Sequence, residues 1–144
     1  MADVEIWMPV PEFEGYEASN LGRIRSIDRW VTYKNGQRRF YRGRVLRKQN
    51  GPSGYPTVHP GYKHQHRYVH HLVMQAFKGE TPSGFEICHN DGDKRNCRLD
   101  NLRFDTRLNN VFDVVRHKYE QAWLSYAAHP VGPTRAVGIL KRHR

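Results

Sequence analysis

The stretch ICHNDGDKRNCRLDNLRFDTRLNN, residues 87–110, decides the fold. Beyond Ile87 its apolar anchors are few, chiefly Leu99, Leu102 and Phe104, and four asparagines (Asn96, Asn101, Asn109 and Asn110) follow its first, Asn90. Glu86-Ile87-Cys88 reads as a strand that delivers His89 at its end. Asn90-Asp91-Gly92-Asp93 reads as a turn in which Asp-Gly supplies the positive φ. Thr106 to Asn110 open a helix, so the segment is strand, loop, strand, helix, with polar side chains converging between the pieces. Such a unit buries little apolar surface, and a metal ion is one clamp that would hold it.

Upstream, YVHHLVMQAF (68–77) places Val69, Leu72, Val73, Ala76 and Phe77 at helical i, i+3, i+4, i+7, i+8 spacing, which predicts a short amphipathic helix starting near His70 whose apolar face is core. His70 itself reads as structural, bracing the segment that follows. Before it, NGPSGYPTVHPGY (50–62) is a Gly/Pro-rich loop with a short strand, and His59, His64 and His66 read as loop residues. Downstream, VFDVVRHKYEQAWLSYAAHP (111–130) again has helical spacing and stops before Pro130, leaving a basic tail.

The N-terminal third has a different texture. EIWMPVPEFEGYEASNLGRIRSIDRW (5–30) alternates short apolar runs with Pro, Gly and Asn, which favours short strands and tight turns. Ser19-Asn20-Leu21-Gly22 is a turn, and the strand leaving it puts Arg23 and Arg25 on one face and Ile24 on the other. Lys34-Asn35-Gly36-Gln37 carries an Asn-Gly hairpin pattern. In RRFYRGRVLRK (38–48), Arg38, Arg39, Arg42, Arg44, Arg47 and Lys48 interleave with Phe40, Tyr41, Val45 and Leu46. Cations mixed with aromatics suit phosphate contact and groove docking. An edge hairpin guarded against aggregation needs fewer charges than these.

Charge supports that reading. The chain of 144 residues has 24 Lys and Arg against 14 Asp and Glu, a net charge of +10, which suits a polyanionic partner. The formal charges from Met1 to Gly22 are all acidic, whereas Arg23 to Lys48 holds ten cations against Asp28 alone. Length allows one core with an appendage and excludes a second full catalytic domain. Hydrophobic content of 38% and a mean hydropathy of -0.85 exclude a membrane span. MADVEIWMPV is too acidic and too short of apolar length for a signal peptide. Cys88 and Cys97 lack CxxC pairing, which points to a reducing, cytoplasmic setting.

His89, Asn101 and Asn110, with Asp91-Gly92, Asn96, Leu102, Phe104 and Thr106 between and around them, resemble the motif of the HNH (ββα-metal, His-Me finger) endonucleases, nearest the phage and intron-associated homing type. Independently, IWMPVPEFEGYEASNLGRIRSIDR (6–29) resembles the nuclease-associated modular DNA-binding motif found at the N-termini of those enzymes. VHHLVMQAF resembles the helix that precedes their core, with His71 where Arg is usual. The resemblances cover roughly residues 5–111 in the expected order.

The resemblance implies an α+β protein with three parts: a β-rich DNA-binding module of short hairpins (1–50), an HNH nuclease core (51–116), and a C-terminal helix with a basic tail (117–144). It implies metal-dependent hydrolysis of double-stranded DNA by a nicking homing endonuclease, acting as a monomer or a dimer in the cytoplasm of a bacterium or a phage-infected host. His89 would be the general base, a neutral imidazole whose natural pKa suits the task. Asn101 would orient its ring, and Asn110 would give its amide oxygen to one divalent cation, Mg²⁺ or Mn²⁺, with Zn²⁺ as the softer alternative.

Cys88 departs from the pattern, since the residue before the base often supplies a second, carboxylate ligand. Either Cys88 tilts the site towards softer ions, or it packs while Asp91 or water completes the shell. Asn96 reads as structural, and Asn109 stands one residue of register from Asn110. DNA contact falls to Arg23, Arg25, Arg38, Arg39, Arg42, Arg44 and Lys48. A binding protein without activity, or an RNA binder using the same arginines and tyrosines, are the rival classes, and the RNA reading leaves the His89, Asn101 and Asn110 spacing unexplained.

Overall fold

The structure is a computed structural model in which residues 3–61 and 65–128 are described. It is α+β and forms two compact units, Met1–Asn110 and Val111–Arg144. The expected basic tail after Pro130, and His64, lie outside the described residues.

The first unit is assembled from short antiparallel pieces. Strands β1 (Trp7–Pro9), β2 (Tyr16–Ser19) and β3 (Ile24–Ser26) form a meander in that order. The turn between β2 and β3 closes through Gly22 N–H donating to the Ser19 carbonyl at 3.0 Å, as Ser-Asn-Leu-Gly predicts. The two-sided reading of β3 also holds: Ile24 is 1% exposed, while Arg25 faces outward and is half-buried.

Strands β4 (Arg29–Thr32) and β5 (Arg38–Tyr41) make a separate hairpin, with Trp30 opposite Phe40 and Thr32 opposite Arg38. Its bend is the predicted one. Gly36 adopts φ +82°, and the Asn35 side chain accepts from the Gln37 N–H at 3.1 Å. A third small sheet, β6 (Gln49–Asn50), β7 (Pro56–Val58) and β8 (Arg67–Tyr68), leads straight into helix α1 (Val69–Lys78).

Val69, Leu72, Val73 and Met74 of α1 are fully buried, with Ala76 and Phe77 partly so, which is the apolar face read from the spacing. Burying each large side chain there contributes about 1.5–3 kcal/mol before entropy is charged. Val10, Phe13, Tyr16, Ala18 and Ile24 from the N-terminal motif pack with Val58, with the α1 side chains, and with Cys97 and Leu102 from the segment around His89. One core therefore joins residues that the sequence motifs divide between 1–50 and 51–116.

The remaining pieces are β9 (Phe85–His89), its antiparallel partner β10 (Leu102–Thr106) and helix α2 (Arg107–Ala128). Strand, turn, strand and helix follow as expected, with Gly92 at φ +74° in the turn. In the second unit, Val111, Phe112, Val114, Val115, Tyr119, Trp123 and Leu124 of α2 are exposed, and Arg116 pairs with Asp113 at 3.0 Å. No described helix is long and apolar enough to cross a membrane.

Candidate functional site

Alternation along β9 sorts its side chains: Glu86 and Cys88 share one face, Ile87 and His89 the other. Ile87 packs against the core, so the His89 face looks inward, and His89 is 9% exposed at the strand's end. Its pairing with Leu102 on β10 fixes its height. Burial lowers the His89 pKa below its ordinary value, and the nearby Lys94 charge acts in the same direction, while Asp91 and Asp93 oppose them. Its Nε2 is sealed from solvent and has no hydrogen-bond partner.

The turn after His89 is held by side chains. Asn101, 8% exposed, donates from Nδ2 to Asp91 Oδ1 (2.9 Å) and to the Asn96 carbonyl (2.9 Å), and its Oδ1 accepts from the Asp91 N–H (3.1 Å). Asn96 in turn donates to Asp91 Oδ2 at 2.8 Å. Burial alone would push the Asp91 carboxyl up, but hydrogen bonds from Asn96, the Asp93 backbone and Asn101 outweigh it and hold the group below its ordinary range. In place of a bond to the His89 ring, both amide protons of Asn101 and one lone pair of its oxygen go to the turn that carries the histidine. Asn101 thus acts on the backbone that follows the ring.

His89 belongs to a cluster of four aromatic rings. His70 lies 5.1 Å away, centroid to centroid, and Tyr55 5.9 Å; Tyr55 also meets His70 at 5.1 Å and Tyr68 at 5.9 Å. Lys94 sets its Nζ 4.9 Å over the Tyr55 ring and donates to the Ser53 carbonyl at 3.1 Å. Burial, then the neighbouring Cys88 and Glu86, raise the Tyr55 pKa. His70 is 5% exposed, and desolvation, with smaller contributions from His71 and His89, drops its pKa to about 3, so it is neutral. Sequence reading saw His70 as a brace and missed Tyr55, Tyr68 and Lys94, whose contacts join the Gly/Pro loop to a segment some 40 residues away.

The other face of β9 meets the start of α2. Asn110, in its first turn, donates from Nδ2 to Glu86 Oε2 at 2.9 Å, which turns its amide oxygen away from the carboxylate. Asn109 is committed elsewhere, to Asp105 Oδ1 at 2.8 Å, which separates the two adjacent asparagines. Cys88 is 2% exposed on the Glu86 face. Glu86 and Asn110 are hard oxygen donors and fit a hard divalent cation; the Cys88 sulfur does not. Cys97 is equally buried, with its thiol pushed up to about 11, chiefly by desolvation.

The expected DNA-contacting cations separate into two groups. Arg23 is paired with Glu5, and Arg25 with Glu17 at 2.6 Å while stacking 4.1 Å from the Trp7 ring. The acidic N-terminal segment thus neutralises arginines of its own meander. Arg38, Arg39, Arg42, Arg44 and Lys48 have no carboxylate partner among the described residues; Arg38 lies 5.0 Å over Trp30 and Arg39 5.6 Å over Tyr41. A groove of about 1400 Å³ runs beside this hairpin, lined by Arg29, Lys34, Arg42, Arg44, Tyr33 and Tyr41 among others.

Residues 5–59 match the NUMOD4 motif and residues 67–111 the HNH endonuclease family. The chain carries an HNH endonuclease segment behind a NUMOD4 motif. Its NUMOD4 segment contains the meander and both hairpin strands, and its HNH segment runs from β8 to the first turn of α2. The fold is similar to that of the HNH homing endonuclease I-HmuI, solved in a study of DNA binding and cleavage, with 27% identity and a TM-score of 0.55. That match covers 94% of this chain, which spans 66% of the length of the I-HmuI chain. No characterised protein matches by sequence alone.

Proposed function

We propose that the protein is a metal-dependent DNA endonuclease that nicks one strand per active site. The observation that carries this reading is His89 at the end of β9, clamped through its turn by Asn101, with Glu86 on the other face of the same strand and bonded to Asn110 of α2. The same short unit of strand, turn, strand and helix thus supplies a neutral imidazole and a pair of hard oxygen donors. Because Nε2 of His89 is sealed, the ring must act on solvent through Nδ1, which takes the proton as water attacks phosphorus.

Glu86 and Asn110 would hold the cation, Mg²⁺ or Mn²⁺, with the Asn110 amide turned over so that its oxygen replaces the nitrogen now facing Glu86, and when bound it would supply Lewis-acid stabilisation of the charge on the phosphate and leaving oxygen. Glu86 takes the part that the resemblance assigns to a carboxylate at position 88. Lys94, beside the Tyr55 ring, is placed to receive a phosphate oxygen, and Tyr55 walls the imidazole from bulk water. The β4–β5 hairpin with Arg38, Arg39, Arg42, Arg44 and Lys48 would grip the duplex backbone. Residues 1–50 thus bind, 51–116 cut, and 117–144 extend the chain. One such site per chain makes nicking by a monomer the expected outcome, with double-strand cutting needing a second chain.

The test is conversion of supercoiled plasmid to open circle with Mg²⁺ or Mn²⁺, abolished by EDTA and by His89→Ala, while His89→Ala binds DNA within a few-fold of the parent. Loss of cleavage and affinity together would contradict a chemical role for His89. The buried thiol at position 88 favours one other reading, a DNA-binding protein without activity; retained binding with no metal-dependent nicking would establish it.

A further inference from the structure

His70, His89 and Cys97 each offer one ligating atom, and these three atoms lie within 4.8 Å of one another. They come from α1, from the end of β9 and from the loop before β10, so the fold brings them together. All three residues are more than nine-tenths buried, and each histidine carries one sealed ring nitrogen without a hydrogen-bond partner, Nδ1 of His70 and Nε2 of His89. A buried polar atom without a partner costs on the order of 1–3 kcal/mol, so two adjacent ones call for an occupant. The donor set is nitrogen, nitrogen and sulfur. That set is ill-suited to Mg²⁺ and suited to Zn²⁺ and its relatives.

We propose that His70, His89 and Cys97 form a binding site for a thiophilic divalent cation of the Zn²⁺ class, on the opposite face of β9 from Glu86 and Asn110, and that its occupation switches off His89. Tetrahedral Zn²⁺ with bonds of about 2.3 Å to sulfur and about 2.0 Å to nitrogen sets its donors about 3.5 Å apart. Closure from 4.8 Å therefore takes roughly an ångström of side-chain movement, within reach of rotamer adjustment. Binding displaces the thiol proton to solvent and forms one metal–thiolate and two metal–imidazole bonds, with water left to fill the fourth position. A metal on Nε2 obliges the ring to keep its proton on Nδ1, the nitrogen assigned to the base. The inhibitory half rests on the proposed function; the binding half does not.

Cobalt titration of the full-length protein tests the site. One equivalent of Co²⁺ should give a thiolate-to-metal charge-transfer band with tetrahedral visible bands; Cys97→Ser should lose the first, and Cys88→Ser should keep it. X-ray absorption of the Zn²⁺-loaded parent, which needs no variant to fold, should show one sulfur and at least two nitrogen donors. No band, a band lost in Cys88→Ser instead, or an oxygen-only shell overturns the site.

In the plasmid assay, equimolar Zn²⁺ should suppress Mg²⁺-supported nicking at least about tenfold in the parent and little in Cys97→Ser, since a lost outer-shell partner alone costs metal sites ~10–100-fold in affinity and a lost ligand costs more. Binding without suppression overturns the inhibitory half and, with it, His89 as the base. A chain that binds Co²⁺ in this way and never nicks refutes the nuclease reading and leaves the metal site standing.

Discussion

Replacing Asn101 by Ala separates two ways in which this residue could serve the site. Its side chain makes three hydrogen bonds, at 2.9, 2.9 and 3.1 Å, all to the Asp91–Asn96 turn. At a net ~1 kcal/mol each, their loss would cost about 3 kcal/mol; Asp91 is exposed, so water recovers part, and about 2 kcal/mol is expected. For a chain of this size that lowers Tm by roughly 5–8 °C. The nicking rate should fall because the turn fixing His89 loosens, and it should recover partly on cooling. The assays are a thermal melt followed by circular dichroism and plasmid nicking at two temperatures. An unchanged melting temperature with nicking lost at both would refute the reasoning, and would return Asn101 to direct contact with the ring.

Acid should destabilise the fold through His70. Its folded pKa, about 3, lies below the ordinary 6.5, so between those values the unfolded chain binds a proton that the folded one does not. Stability is whole above pH 6.5 and falls as pH drops, at up to about 1.4 kcal/mol per unit, or about 2 kcal/mol by pH 5. Urea midpoints that stay flat from pH 7 to 5, or that fall equally in His70→Asn, would contradict this. Arg38→Ala with Arg39→Ala should reduce the slope of log binding constant against log salt by roughly 0.9 per lost phosphate contact. Arg23→Ala, whose guanidinium is occupied by Glu5, should leave that slope nearly unchanged, and equal effects in the two variants would defeat the division drawn between the cations. Gly22→Ala should destabilise by about 2–3 kcal/mol, because φ +81° is unfavourable for any Cβ and the added carbon would sit 2.9 Å from the Cys97 carbonyl. A denaturation midpoint equal to the parent's would show that this turn is free to move.

What could be read from the sequence was local. Asp91-Gly92 marks its turn, the alternation of Glu86 to His89 marks its strand, and Val69, Leu72 and Val73 mark the buried face of α1, because each depends on neighbours a few residues away. Partner choice was not legible in the same way. The resemblance implies that Asn101 orients the ring, and only the packed loop shows its side chain committed to the turn instead. Glu5 and Arg23 stand 18 residues apart, so nothing local reveals that a cation resembling a phosphate contact is already neutralised. Tyr55 sits in a Gly/Pro loop and gave no local sign that it would cover His89. Cys97 looked like an isolated thiol until α1 and β9 carried His70 and His89 to it.

The turn at Asn20-Leu21-Gly22 has a mechanical consequence. Its glycine lies flat on the Cys97 backbone, and the Asn20 carbonyl accepts from the Leu99 N–H at 2.9 Å, just before Asn101. The segment that follows that turn leads through β3 into the basic hairpin, and the Ser26 N–H donates to the Arg44 carbonyl at 2.9 Å on the hairpin's return, so the proposed grip and blade would be joined by hydrogen-bonded backbone instead of hanging from a tether. On DNA, the offset in base pairs between the gripped phosphates and the cut one would then be a ruler length cast into the core. Extra residues spliced into the exposed loop at 80–83 should leave that length alone, whereas bulk added at position 22 would move the mark.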